Sequence, residues 1–336
     1  MSMWKVWLGV TLVGLGPSLG DRPYFNDQKV PEKLADLLAI QQNLQENLVD
    51  ARAATVCLEM AEGGSGSGVI VSEDGLVLTA AHVTGGVDRD ITVIMEDGTK
   101  YQGVSLGLES STDAAMLQIV GEEPFPFVEV DKSDSFRLGD WVFSLGHSGG
   151  FDKDRGVNVR VGRLTRQADS TIQSGCMLIG GDSGGPLFDI NGRLIGIHSR
   201  VGASKEESMH VPLREFQRNW DEMLDSKFLS EGGFARKGEP GTGFLGLVIE
   251  KSGEGPLRVA QIYPESPAEE GELKVGDVIT SFTARSLEVE LKGDDLHEPS
   301  KIYDVLDQLG PGEAIRLSWS REGKEFHQKI ILGERP

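Results

Sequence analysis

Three short segments, far apart along the chain, carry side chains that together could make an alcohol react. Ser183 lies in Gly181-Asp182-Ser183-Gly184-Gly185-Pro186, His82 ends Thr79-Ala80-Ala81-His82, and Asp113 opens Asp113-Ala114-Ala115-Met116-Leu117. A serine hydroxyl is a weak nucleophile at neutral pH. It needs a base within hydrogen-bond reach and a third group that orients the base. Imidazole and carboxylate are the side chains suited to those two tasks, and the chemistry they support together is acyl transfer. The glycines have a separate purpose. The N–H groups of Gly181 and Ser183 must converge on the oxyanion of a tetrahedral intermediate, and Gly184 and Gly185 let the chain bend there without a Cβ clash.

The order His82, Asp113, Ser183 is the one used by chymotrypsin-type barrels, and it differs from the subtilisin and α/β-hydrolase orders. A second serine competes for the same reading. Gly146-His147-Ser148-Gly149-Gly150 fits Gly-x-Ser-x-Gly and comes after the strand-like Trp141–Leu145. A nucleophile elbow of that kind requires a helix directly after the serine. Ser148 is instead succeeded by a polar loop, then by Val157, Val159 and Val161 alternating with polar residues. The pattern predicts a loop and a strand, and an ester hydrolase built on Ser148 is the lesser reading.

The elements that must position these residues are mostly short strands. From about residue 53, apolar runs alternate with Asp74-Gly75, Asp97-Gly98 and Asn191-Gly192, pairs that favour tight hairpin turns. Many short strands without intervening helices predict a mainly β domain, a barrel or sandwich, over residues 53–230, closed by a helical stretch near 213–230. Upstream, Leu34, Leu37, Leu38, Leu44 and Leu48 recur at helical spacing behind Pro31, which predicts an amphipathic helix within residues 21–52 that packs on the domain it precedes. Residues 231–243 are Gly-rich and read as a linker. The remainder, 244–336, reads as a small α+β domain with a helix near 300–309 and strands near 314–320 and 326–332.

The chain of 336 residues is long enough for two such domains. Its net charge of −20 repels nucleic acid and anionic membrane, so neither is expected as a partner. Residues 1–20 combine Lys5, the apolar Val6–Leu15 and the small Ser18-Leu19-Gly20, the layout of a secretory signal peptide; an uncleaved anchor is the alternative. Cys57 and Cys176 read as buried free thiols rather than a disulfide framework. His147, His198, His210, His297 and His327 read as packed or surface histidines. The cluster Asp294, Asp295, His297 and Glu298 reads as a solvated loop. Zinc-ligand spacing is absent, and neither metal nor cofactor is expected.

Taken together, Gly66-Ser67-Gly68-Val69-Ile70, Leu78-Thr79-Ala80-Ala81-His82-Val83, Asp113-Ala114-Ala115 and Gly181–Leu187 resemble the HtrA/Deg family of exported trypsin-like serine proteases with PDZ domains. The resemblance spans roughly residues 50–335. It implies a trypsin-like double β-barrel followed by a PDZ domain, cleavage of unfolded or damaged protein in the periplasm or cell envelope, and a homotrimer. On the triad it implies His82 as base, Asp113 as orienting group and Ser183 as nucleophile, with Gly181 and Ser183 as oxyanion donors. It also implies that Phe244-Leu245-Gly246-Leu247 receives peptide C-termini beside Ile302 and Leu306, and that Met177 forms an apolar floor to the specificity pocket. An inactive barrel that binds peptides or acts as a chaperone is the alternative. One departure is visible: Asp182 stands where the family usually has Asn.

Overall fold

Two closed rings of strands, packed side by side, account for residues 55–212 of this computed structural model. The described residues are 22–60, 63–130, 136–202, 207–230, 233–235, 241–251 and 255–334. The signal-like residues 1–20 lie outside them, as do 231–232 and 236–240 of the linker.

The first ring comprises β1 (Thr55–Met60), β2 (Ser65–Ile70), β3 (Leu76–Ala80), β4 (Asp90–Ile94), β5 (Lys100–Glu109) and β6 (Ala114–Val120), and antiparallel pairing of β5 with β6 closes it. The second comprises β7 (Trp141–Gly146), β8 (Asn158–Gln167), β9 (Ile172–Ser174), β10 (Pro186–Asp189), β11 (Leu194–Val201) and β12 (Ser208–Pro212). Each predicted Asp-Gly or Asn-Gly pair falls between two paired strands. Closure removes exposed strand edges and leaves each ring an apolar interior. Val56, Leu58, Val77 and Val93 fill the first; Val142, Leu164, Ile172 and Leu187 fill the second. A third cluster joins the rings, with Val69, Leu78 and Met116 packed against Leu145, Phe188 and Ile197. Phe143 and Phe188 stack there at 5.1 Å. The seam between the rings is therefore closely packed, and His82, Asp113 and Ser183 lie on the segments that border it.

The N-terminal helix, α1 (Leu34–Ala54), begins three residues after Pro31, where the Asp36 carboxylate accepts the N–H groups of Glu32 and Lys33 at 3.0 Å. Only its second half behaves as predicted. Ile40, Leu44, Leu48 and Ala51 pack on the seam, whereas Leu34, Leu37 and Leu38 are exposed. The expected helical stretch at 213–230 is two short helices, α3 (Leu213–Arg218) and α4 (Trp220–Leu224). They are followed by β13 (Phe228–Leu229), which adds in parallel to β5. Cys57 and Cys176 are buried free thiols, and burial pushes the Cys57 thiol up to about 12.

The C-terminal unit is a separate α+β body with its own core, including Leu257, Phe282, Ile302, Leu309 and Ile315. It begins with β14 (Gly243–Phe244) and β15 (Leu247–Lys251), followed by β16 (Leu257–Ile262), β17 (Val278–Ala284) and β18 (Val289–Lys292). After these come β19 (Ala314–Arg321), β20 (Lys324–Ile331) and β21 (Gly333–Glu334). The main sheet runs β15-β16-β17-β19-β20, with β15 at an edge. Two helices, α5 (Pro267–Glu270) and α6 (Pro299–Leu306), each start on a proline, a residue preorganised for a first helical turn. Arg316 joins this unit to the first ring, with its two terminal nitrogens each 2.5 Å from an oxygen of the buried Asp88. Lys329 pairs with Asp90 at 2.6 Å.

Candidate active site

His82 sits on the single turn α2 (Ala81–Thr84), directly after β3, and Asp113 immediately precedes β6. These strands pair through Ala80 and Ala114, which brings the two segments together. The Ala81 N–H donates to the Asp113 carbonyl at 3.1 Å, and the His82 N–H to the Asp113 Oδ1 at 3.0 Å. The imidazole Nδ1 lies 2.9 and 3.0 Å from the two carboxylate oxygens. Ser199, buried near the end of β11, donates its hydroxyl to Asp113 Oδ2 at 2.5 Å. Asp113 is fully buried and held at a φ of 70°. A non-glycine residue in that left-handed region is strained, and the surrounding bonds over-determine it. With Nδ1 facing a carboxylate, the ring proton resides on Nδ1, and Nε2 is left as the acceptor.

Ser183 enters on the turn before β10. Its carbonyl accepts the Ser67 N–H at 2.7 Å, which ties the turn to β2. Its hydroxyl points to the Ser199 carbonyl at 3.4 Å. His82 and Ser183 line one cleft of about 380 Å³ together with Leu178, Ile179, Gly180, Ser199, Arg200, Val201 and Phe234. Among the described residues, the N–H groups of Gly181 and Ser183 donate to no backbone or side-chain acceptor. Gly181 has a φ of 94°, and a Cβ there would lie 2.5 Å from the His147 carbonyl, so the close approach of these two loops requires glycine.

Several predicted positions are placed differently. Met177 is about half exposed and does not line the cleft; Leu178 and Ile179 do. Of the next two residues, Leu178 is buried and Ile179, itself about half exposed, borders the cleft. Ser148 is buried, and its hydroxyl donates to Asp182 at 2.6 Å. It lies on a loop between two antiparallel strands with no helix after it, so no nucleophile elbow exists there. In the C-terminal unit, Leu245 and Gly246 are buried in the turn between β14 and β15. Phe244 is half-buried and Leu247 opens β15. Ile302 is fully buried in the core and Leu306 nearly so. The residue of α6 that reaches the edge of β15 is Tyr303, whose oxygen accepts the Ile249 N–H at 2.9 Å. Asp295 pairs with Lys301 at 3.5 Å, and no described group of three His, Cys, Asp or Glu residues is placed to hold a metal.

Two contributors escape a reading of the sequence. Ser199 is an ordinary serine on a strand. Phe234 lies in the stretch read as linker, yet its N–H donates to the Ser110 carbonyl at 2.9 Å and its ring stands 6.4 Å from that of His82. Arg200 covers the same ring at 4.7 Å.

Behind the seam, His198 and His210 are buried with their Nδ1 atoms 2.9 Å apart, and His210 Nε2 meets the Ser174 hydroxyl at 2.8 Å. Burial lowers His210 to about 3 and His147 to about 4, and it lowers His198 well below its ordinary value. All three are held neutral in the fold. Below the ordinary value of 6.5 the unfolded chain binds protons that the fold does not. Stability is therefore full above that pH and falls as pH is lowered through it. The free energy of unfolding is expected to drop by about 4 kcal/mol between pH 7.5 and 5.5 from these three groups. Urea titrations at the two pH values measure it, and an unchanged midpoint would refute the neutral pair.

A model of the trypsin-like peptidase domain matches residues 66–197. The chain is 30% identical over 292 residues to a probable periplasmic serine endoprotease, DegP-like, of Ectopseudomonas mendocina. It is 27% identical over 284 residues to the protein so described in Brucella suis. These alignments cover 81% of this chain and 56% and 53% of the relatives, so the chain spans about half the length of the curated relatives it matches. Among solved structures, the HtrA-type protease AlgW with tripeptide aligns over 86% of this chain and 97% of its own, at 26% identity and a TM-score of 0.46. The serine endoprotease from Yersinia pestis aligns over 91% and 100%, at 22% and 0.48. The peptidase-domain match lies on the two rings and the DegP-like relatives match over 81% of the chain, so the chain is similar to DegP-like serine endoproteases over most of its length, in keeping with its resemblance to the HtrA/Deg family.

Proposed function

We propose that the chain is a serine endopeptidase of the periplasm that cleaves unfolded polypeptides at the His82–Asp113–Ser183 site. One observation carries this reading. A fully buried carboxylate, held by one N–H and one hydroxyl donor besides the imidazole, presents His82 to a cleft that also contains Ser183. Rotation about the Ser183 side chain brings Oγ into that cleft. Nε2 of His82 takes its proton as Oγ bonds to the scissile carbonyl carbon. The N–H groups of Gly181 and Ser183 receive the oxyanion, and His82 returns the proton to the departing amine. Water then repeats the sequence on the acyl-enzyme. Asp113 stays ionised throughout and stabilises the imidazolium. An extended substrate suits a cleft bordered by Ser199–Val201 at the end of β11, and Leu178, Ile179 and Val201 suit an aliphatic side chain before the cut. The names of the relatives and the signal-like residues 1–20 support a periplasmic setting.

A fluorophosphonate probe is expected to label Ser183 alone, and casein digestion is expected to vanish in Ser183→Ala. Label on Ser148, or equal inertness of the native chain and Ser183→Ala with and without C-terminal peptides, would overturn the reading.

The second half of the proposal assigns residues 244–336 to a PDZ domain that receives peptide C-termini at Phe244–Leu247 and adds them as a strand along β15. The supporting geometry is the place of β15 at the end of the sheet, with no strand beyond it among the described residues, and the Ile249 N–H donating to Tyr303. Tyr303→Phe frees that donor. It is expected to tighten binding of apolar C-terminal peptides about fivefold, the value of one neutral hydrogen bond. Fluorescence polarisation reads it, and unchanged or weaker affinity counts against this edge as the peptide site. By the same family resemblance a homotrimer is proposed, with the exposed Leu34, Leu37 and Leu38 available for a neighbouring copy.

A further inference from the structure

Asp182 precedes Ser183 and is fully buried. The Ser148 hydroxyl donates to Oδ1 at 2.6 Å, and the Ile179 N–H donates to Oδ2 at 2.8 Å. Arg160 Nη2 reaches in from β8 to 3.1 Å from Oδ2 and also donates to Ser148 Oγ at 2.9 Å. Its Nη1 is buried without a hydrogen-bond partner among the described residues. The guanidinium is thus spent on this one carboxylate and its serine rather than spread over a network. The same carboxylate organises the turn that carries the open N–H groups of Gly181 and Ser183. The Asp182 N–H closes that turn on the Ile179 carbonyl at 3.1 Å, and Gly149 and Ser67 hold the carbonyls of Gly180 and Gly181 at 2.7 and 2.8 Å.

A buried carboxylate that loses its cation must take up a proton or move to water. Moving to water releases its bond to Ile179 and, with it, the turn; taking up a proton turns one of its two acceptor oxygens into a donor and loosens the same set of bonds. We infer that Arg160 is a positioning residue for acylation: from inside the chain it supplies the cation that keeps Asp182 buried and the Gly181 and Ser183 donors set. In digestive-type barrels the Asp before the serine pairs with an α-amino group freed by cleavage; with Arg160 as its cation, the turn here needs no cleavage to form. The inference rests on the proteolytic function proposed for this site.

Arg160→Gln, assayed on a fluorogenic peptide that the native chain cleaves and at a temperature where circular dichroism shows it folded, is expected to lose at least 30-fold in kcat. KM should stay within twofold, because oxyanion donors act on the transition state. Adding Asp182→Asn is expected to restore kcat to within threefold of native, since an amide keeps an acceptor and needs no counter-ion. Hydrogen exchange across residues 178–184 is expected to rise in the single variant and return in the pair. A folded Arg160→Gln with native kcat overturns the inference, as does a pair that stays as slow as the single variant. If Arg160→Gln does not fold, the pair decides alone: native-like kcat and exchange support the inference, and a misfolded or slow pair overturns it. An inert native chain whose exchange pattern keeps this order refutes the proteolytic reading and leaves the positioning of the turn standing.

Discussion

Asp113→Asn is expected to lower kcat by about 10⁴ while leaving KM and the fold nearly unchanged. The reason lies in how completely the carboxylate is surrounded. The His82 backbone N–H, which cannot turn, fixes an acceptor at one end of the side chain. The amide nitrogen of Asn must then occupy the other end, between the Ser199 hydroxyl and His82 Nδ1. Ser199 can reverse its hydroxyl and accept. Nδ1 can accept only if the ring proton moves to Nε2, and a protonated Nε2 cannot take the proton of Ser183. Nδ1 also lies 2.9 Å from the oxygen that stays an acceptor, so the loss has two parts, the wrong tautomer opposite the amide nitrogen and the missing charge opposite the imidazolium; the variant stays well bonded, which separates this loss from a folding defect. Steady-state kinetics alongside a urea titration checks it. A folded Asp113→Asn within tenfold of native kcat would mean that Asp113 does not set the tautomer. Ser199→Ala is a milder probe of the same carboxylate, since it removes one donor and leaves the ring orientation to the remaining two contacts.

His82, Asp113 and Ser183 stand out in the sequence because each lies in a recognisable short segment: Thr79-Ala80-Ala81-His82 after a strand-like run, Asp113-Ala114-Ala115-Met116-Leu117, and the Gly-rich Gly181–Pro186. Strand positions were legible through alternation and Asp-Gly or Asn-Gly turns. Whatever depended on which way one turn swings was not. Met177 and Leu178 are neighbours, and only the path after β9 decides which of them meets the cleft. Likewise Ile302 and Tyr303 lie a third of a helical turn apart, and the rotation of α6 sends the isoleucine to the core and the tyrosine to β15. The leucines of α1 share one spacing, yet only those beyond residue 39 meet the seam. Arg160 alternates with valines on β8 and reads as a solvent-facing position. It is directed inward because Asp182 and Ser148 come from loops that the sequence places far away. Phe234 reads as linker, since nothing local reveals that the chain folds back over His82.

Gly184→Ala is expected to be the most damaging single-methyl change in the barrels. Gly184 has a φ of 84°, and a Cβ built on it would lie 2.1 Å from both the Ser67 carbonyl and the Thr79 Oγ1. Neither atom can yield cheaply. The Ser67 carbonyl already accepts the Thr79 hydroxyl at 2.8 Å, the Ser67 N–H donates to Ser183, and the Gly184 N–H donates to the His198 carbonyl at 2.7 Å. The methyl would have to part the first ring from the second at the turn bearing the nucleophile. The loss is expected to exceed the usual range for a point substitution, about 4 kcal/mol or more, with soluble protein scarce and fluorophosphonate labelling of Ser183 absent. Gly149→Ala is the matched control. Its φ of 73° is equally left-handed, but nothing lies within 4 Å of the added Cβ. It should cost only the backbone strain, about 1 kcal/mol, and keep the label. Equal stability of the two variants would mean that the turn around Ser183 relaxes far more freely than its packing implies.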